Sequence, residues 1–383
     1  MTIKLYDNDS YLTEFEGTVL SCDKCEEGYK TVLDQTAFFP EEGGQSADKG
    51  EIDGVLVKDV KLIQGIIYHY TDTPFEKGKR VFGKIDFSFR FRNMQNHTGE
   101  HIISGLAHSL YGLTNVGFHL GEDNVTMDLS GPLTQEDIDK IELLANEAVY
   151  KNMKVSGYYP DEEELSKLDY RSKSEIKDAV RIVKIGDLDL CACCAPHVKS
   201  TGEVGIIKII SFMKYKGGVR LNILSGKDAF MDYMKKNKSN SLISAHLSVK
   251  PEETFEGVKR LSEANGELLL KLSEKTKQLA KITVDSLAQS DGCIVLFVED
   301  ADIPNLRLIG NDLKEKTASF GVILSGNDNE GYKYVIISED SDVSEITKNA
   351  NTALSGRGGG RGNMTSGSFG ATKEEIEKYF SKM

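Results

Sequence analysis

A chain of 383 residues is long enough for two or three domains, each burying its own core, and a single small module is excluded. The net charge of −13 argues against non-specific adhesion to nucleic acid, so a nucleic-acid partner has to be met by local basic patches. No apolar run reaches the roughly 18 residues of a membrane span, and nothing behind MTIKLYDNDS reads as a signal peptide, which together predict a cytoplasmic protein with no membrane partner.

Residues 1–90 consist of short alternating runs such as GTVLSC, YKTVLD and IIYHYTD between Gly, Asp and Lys turns, the pattern of a small antiparallel barrel or sandwich. Helical periodicity begins near Phe91. The spacing predicts a helix over 90–112 that carries His97, His101 and His108 on one face, Ile102, Leu106 and Leu110 on another, and ends at Gly112. A second helix over 133–153 has Thr134 as its N-cap. The strand VRIVKIG leads into a cysteine cluster, and residues 205–226 read as a hairpin with Gly217 and Gly218 at its turn.

From 253 to 283, Val258, Leu261, Leu268, Leu272, Leu279 and Ile282 recur at three and four, interrupted by Asn265 and Lys275, which predicts a long helix or short coiled coil. Beyond it, GCIVLFVED, ASFGVILSG and YKYVIIS read as strands alternating with helices near 303–317 and 342–354. The expected fold is α+β in four parts: a barrel-like domain over 1–90, a metal-binding domain over 91–228, a helical linker over 229–283 and an α/β domain over 284–383.

The six cysteines are clustered and uneven, unlike a disulfide framework, so reduced thiols and metal binding are expected. His97 and His101 lie one helical turn apart and face the same way, while Cys193 and His197 repeat the same spacing. Two such pairs supply the four nitrogen and sulfur donors that zinc prefers, one ion per chain. Cys191 and Cys194 form a competing CxxC pair. Thr98 stands where the HExxH motif of zinc proteases would place its glutamate, which disfavours a peptidase.

Within LDQTAFFPEEGGQSADKG, Gly43 and Gly44 permit a tight turn and a close ligand approach, and Gln45 presents an amide; a plain hairpin turn is the alternative. Thr36 is either an exposed strand residue or a pocket hydroxyl. In SGRGGGRGNMTSGSFG, freed amides around Gly359 with Arg357 and Arg361 suit phosphate or RNA backbone, against a reading as a flexible loop. Lys208, Lys214, Lys216, Arg220 and Lys227 form a second basic stretch, or simply a solvated face.

Together these segments resemble the editing superfamily of alanyl-tRNA synthetase, in particular the free-standing AlaX proteins of the long type. The resemblance covers nearly the whole chain: DxTxFxPxxGGQxxDxG from Asp34 to Gly50, the histidine motif, CxxxHV followed by TGExG, and LSGRGGGRGNM. It implies hydrolysis of serine or glycine from mischarged tRNA(Ala), without aminoacylation. It also implies zinc on His97, His101, Cys193 and His197, a serine-sensing Thr36, pocket roles for Gly43, Gly44, Gln45 and Thr98, and tRNA contacts through Lys214, Arg220, Arg357, Gly359 and Arg361. Dimerisation through the C-terminal domain is implied as well. The family's CGGTH is here CCAPH, which alters the pocket wall but spares the ligand positions. Four protein ligands would close a zinc shell, whereas direct water activation needs an open position, and spacing leaves both open. The competing functions are a phosphoesterase built on the C-terminal unit, although no DHH triplet occurs, and a non-catalytic tRNA-binding protein.

Overall fold

The computed structural model describes residues 2–121, 124–172 and 180–383. It is of mixed α+β class, as the patterning predicts, and divides into two compact units, Met1–Ser239 and Asn240–Met383.

The first unit opens with a seven-stranded antiparallel sheet in the order Val55–Val57, Gly50–Ile52, Arg80–Ile85, Glu14–Cys25, Gly28–Leu33, Ile66–Thr71 and Asp59–Ile63. The long Glu14–Cys25 strand serves two partners, pairing Arg80–Ile85 along its first half and Gly28–Leu33 along its second. Val55–Val57 lies against Ile66–Thr71, so the sheet curls almost closed. Period-two alternation aims Phe15, Val19, Leu33, Ile52, Val60, Ile67 and Val81 inward as one apolar core.

Inside this sheet His69 is fully buried, with Nδ1 on the Thr31 carbonyl at 3.2 Å and Nε2 on Thr36 Oγ1 at 2.8 Å. Burial pushes its pKa down to about 4. The folded state therefore holds a neutral ring that the unfolded chain protonates near pH 6.5, and the unfolded state binds more protons throughout the window from about 6.5 to about 4. The contribution is whole above that window and is lost as pH falls through it, about 3 kcal/mol in total by linkage. Denaturant titrations at pH 7, 5.5 and 4 should show a shallower pH slope for His69→Asn than for the native chain; identical slopes would remove His69 from the account.

The helix Phe87–Tyr111 begins earlier than its apolar periodicity suggests, because the Asp86 carboxylate accepts from Phe89 N–H and caps it. Gly112 ends it in the left-handed region at φ 67°. One face is polar yet buried, with Asn93, Asn96, His97, Thr98, Glu100, His101 and Ser104 all out of solvent. Leu110, expected on the apolar face, is exposed, and His108 sits on the exposed last turn away from the other two histidines.

Around this helix stand a four-stranded sheet (Asn115–Leu120, Val125–Leu129, Gly218–Ser225, Ile207–Tyr215), the helix Gln135–Tyr150 with its Thr134–Asp137 capping box, and the sheet Val155–Tyr158, Ile182–Ile185, Asp189–Ala192. The expected hairpin is present, but its turn is Lys216–Gly217, with φ 46° and 84°, and Gly218 is already the strand partner of Tyr215. That strand position takes glycine because a Cβ there would lie 1.9 Å from the Leu129 carbonyl oxygen.

The second unit has a five-stranded sheet in the order Ile294–Phe297, Gly321–Asn327, Gly331–Ile337, Met364–Phe369, Arg357–Gly359, with only the first pair parallel. Both faces are apolar: Val322, Leu324 and Tyr334 pack with Phe369 and Phe380, while Ile323, Val335 and Ile337 pack with Leu306 and Ile309. The glycine-rich segment, weighed above as a loop, forms in part the edge strand Arg357–Gly359. The helix Thr254–Ser286 buries Gly257, Thr276, Ala280 and Val284, whereas Val258, Leu261, Leu268, Leu272, Leu279 and Ile282 all face solvent.

Candidate metal centre

The helix Phe87–Tyr111 presents His97 and His101 one turn apart, and the segment after the strand Asp189–Ala192 returns Cys193 and His197 to the same place. The four donor atoms lie within 4.8 Å of one another. His97 Nε2 is 3.6 Å and His197 Nε2 3.4 Å from Cys193 Sγ. Zinc bonds of about 2.1 Å to nitrogen and 2.3 Å to sulfur at a tetrahedral angle place N and S about 3.6 Å apart, so the spacing fits that ion.

Each imidazole is held from behind by its other nitrogen. His97 Nδ1 faces Gln45 Oε1 at 2.8 Å, His101 Nδ1 faces Asp189 Oδ2 at 3.0 Å, and His197 Nδ1 faces Thr98 Oγ1 at 3.0 Å. Such partners fix tautomer and ring orientation, leaving every Nε2 lone pair for a cation. Asp189 is itself gripped by Arg171 Nε at 2.7 Å, and Arg171 also donates to Ser104 Oγ. The loop bearing Cys193 is fixed by Arg181, whose Nη1 donates to the carbonyls of Cys193 and Ala195.

The electrostatics suit a cation. Burial alone would raise the Cys193 thiol, yet His97 and His197 pull it well below the usual thiol range, toward the thiolate a metal requires. Burial pushes His197 down to about 3, keeping it a neutral ligand. For His101 burial acts downward, but Cys191, Asp189 and Cys193 together hold it well above the usual imidazole value.

Of the remaining motif residues, the structure brings Gln45 and Thr98 to the donor group, as above. Gly43 and Gly44 carry φ of 63° and 85° in a turn closed by mutual Glu42–Gln45 backbone bonds; a Cβ on Gly44 would strike the Phe118 carbonyl oxygen at 2.3 Å. The turn thus docks on the strand Asn115–Leu120 and delivers Gln45 to His97. Thr36 is not among the donors' partners: its hydroxyl contacts His69 and accepts from Phe38 N–H.

Arg220 forks onto Asp128 at 2.6 and 2.7 Å and stacks on Tyr215, while Lys214 is exposed on the neighbouring strand. Arg357, Gly359 and Arg361 are exposed in the second unit, where a cleft of about 420 Å³ is lined by Ser344, Thr347, Lys348, Asn351 and Gly358 to Gly360. Cys191 and Cys194 do not pair: Cys191 lies with His101 and Asp189, and all six cysteines are free thiols. Asp189, Arg171 and Arg181 escaped sequence reasoning, because only contacts across the fold single them out.

Fold and donor group define a protein of mixed α+β class with a candidate metal-binding group of three histidines and one cysteine. Residues 180–226 match the threonyl and alanyl tRNA synthetase second additional domain, and residues 11–89 match the class II (A) tRNA synthetases. The chain is 30% identical to the alanyl-tRNA editing protein AlaX-L of Pyrococcus horikoshii, over 98% of this chain and 96% of that protein. It is 27% identical to the alanyl-tRNA editing protein Aarsd1 of Rattus norvegicus, covering 93% and 92% of the two chains. It is also 30% identical to the alanine–tRNA ligase of Pyrococcus abyssi, covering 98% of this chain but 43% of the ligase. Among solved structures, the C-Ala domain of Aquifex aeolicus alanyl-tRNA synthetase matches 25% of this chain and 94% of that domain at 20% identity, with a TM-score of 0.22. The chain belongs to the family of alanyl-tRNA editing proteins of the AlaX-L type, as its four motifs imply.

Proposed function

We propose that this chain is a cytoplasmic hydrolase that removes wrongly attached serine, and glycine, from tRNA(Ala) by cleaving the aminoacyl ester, with one zinc ion held by His97, His101, Cys193 and His197. One observation carries the reading: three buried imidazoles and one half-buried thiol at zinc spacing, each ring steadied by a separate partner, in a chain whose relatives are named as alanyl-tRNA editing proteins. Bound there, zinc would supply a Lewis acid and a template for the ester and terminal ribose.

The residues around it do the rest. Gln45 spends Oε1 on His97, and its buried Nε2, which has no partner within the protein, would donate to the ester carbonyl as water attacks. Because His69 Nδ1 must donate to the Thr31 carbonyl, its neutral Nε2 accepts from Thr36. Thr36 Oγ1, already accepting from Phe38 N–H, keeps one lone pair for a substrate hydroxyl. That is the logic of a second sieve, since an alanine pocket rejects an added hydroxyl poorly whereas a hydrolytic site can select for it. Arg357 and Arg361 beside Gly359, with Lys214 and Arg220, are assigned to the tRNA backbone, and Gly43 and Gly44 to close approach of the aminoacyl end.

Zinc-loaded protein incubated with tRNA(Ala) carrying serine, glycine or alanine should release the first two and spare the third. Binding of all three without release would leave a tRNA-binding protein in place of an enzyme.

The exposed leucine and isoleucine row on Thr254–Ser286 supports a homodimer through the C-terminal unit. Light scattering should give twice the monomer mass, and Leu268→Glu with Leu272→Glu should weaken association by at least about 100-fold, given about 1.5–3 kcal/mol per buried leucine. A native chain that stays monomeric at all concentrations would end the claim.

A further inference from the structure

Buried polar atoms without partners are uncommon, and where they gather they point to a ligand. Among the described residues, Tyr6 Oη, Glu42 Oε2 and Gln45 Nε2 are three such atoms, and they belong to one corner beside the donor group. Gln45 reaches His97. A Cβ on Gly43 would lie 3.7 Å from Cys194 Sγ, which places the Glu42–Gln45 turn against the residue that follows the ligand Cys193. Burial raises the Cys194 thiol above the usual range, with Cys193 and Glu42 adding to it, so the Glu42 carboxylate lies close by. Tyr6 is likewise held far above the ordinary phenol range, by burial first and then by Asp7 and Glu42, and so remains a hydrogen-bond donor.

The corner is acidic by construction. Asp7 has its own partners, accepting from the Tyr159 hydroxyl at 2.9 Å and facing Arg181 Nε at 4.0 Å. Glu42 has no cation against it among the described residues, and one of its oxygens is out of solvent. A carboxylate with no cation against it, met by the neutral Cys194 thiol and set beside a phenol and an amide donor, suits a small cation that also carries oxygen acceptors. The esterified amino acid has that chemistry: its α-ammonium nitrogen is two bonds from the ester carbonyl carbon, so the groups reading the two must be neighbours. Glu42 and Gln45 close a single turn, their backbones bonded to each other at 3.1 and 3.2 Å.

We propose that Glu42, with Tyr6 and Gln45, forms the pocket that reads the amino-acid end of the substrate, Glu42 Oε2 accepting from the α-ammonium group. The inference rests on the deacylase reading above and adds to it a requirement for a free amine.

The test compares seryl-tRNA(Ala) with N-acetylseryl-tRNA(Ala), which lacks the cation, on zinc-loaded native protein and on Glu42→Gln. The native protein should favour the free amine in kcat/KM by about 10- to 100-fold, the range expected for a charge-assisted hydrogen bond. Glu42→Gln should lose most of that preference, its loss falling on the seryl ester and far less on the acetylated one. Zinc content and melting temperature report whether the variant is folded and loaded. Equal losses on both esters, or none on either, would overturn the assignment while leaving the deacylase reading intact. If the native protein cleaves neither ester, the deacylase reading fails separately. Calorimetric binding of 3′-serylamido-3′-deoxyadenosine and its N-acetyl form then decides Glu42: an amine preference present in the native protein and lost in Glu42→Gln sustains it, and equal affinities sink it.

Discussion

Cys193→Ala is expected to lose its zinc and with it nearly all deacylation of Ser-tRNA(Ala). A four-ligand zinc site is worth about 10–16 kcal/mol at neutral pH, so removing one ligand forfeits roughly a quarter of that, or a weakening of several hundredfold. The loss is larger than for an ordinary core cysteine because Cys193 is the one sulfur and the one anionic donor of the set. The loop need not collapse, since Arg181 grips the backbone carbonyls of Cys193 and Ala195 and neither bond needs the thiol. Elemental analysis should find about one zinc per native chain and a small fraction of that in the variant. Cys191→Ala should keep its metal, because Cys191 lies outside the four-donor group. Full zinc in Cys193→Ala, together with its loss in Cys191→Ala, would hand the ion to the neighbouring group of His101, Asp189 and Cys191.

The largest effect on stability is expected at Asp48, far less conspicuous in the sequence. Asp48 and Arg90 are both wholly out of solvent and form a two-pronged pair, with Arg90 Nε donating to Asp48 Oδ1 at 2.7 Å and Nη2 to Oδ2. Arg90 also donates to the carbonyls of Ser10 and Ala37, and Asp48 accepts from Phe39 N–H. The pair therefore ties the Phe87–Tyr111 helix to the curled sheet and to the segment that delivers Gln45. Asp48→Ala would strand a buried guanidinium and should cost about 3–5 kcal/mol in denaturant unfolding. Converting both partners to apolar residues should cost much less than the sum of the single changes, because no unpaired charge then remains. Additive losses would show that the pair acts only through packing.

These two residues mark the boundary of what the sequence carries. Cys193 could be picked out because His97 and His101, and Cys193 and His197, repeat a local spacing that a helix or a turn converts directly into proximity. Asp48 could be seen only as one letter of a motif. Its partner Arg90 is 42 residues away, and no local pattern couples them. The same holds for Asp189, which orients His101 across 88 residues of chain, and for Tyr6, which joins Glu42 only through the folding of the sheet. The leucine row at 258–282 was legible as helical but not as exposed, because periodicity identifies a face without saying what covers it.

By itself, then, the sequence determined the α+β class, the histidine helix with its stop at Gly112, the four residues of the candidate donor group and the family, all of which depend on spacing within short segments or on motifs read in order. Tertiary structure alone decided which group holds each imidazole, that Thr36 leans on His69, and that three unpartnered polar atoms collect beside Cys194. The physical reason is range: hydrogen bonds and burial between residues distant in the chain depend on how the sheets and the helix pack, and a linear pattern does not encode that packing locally.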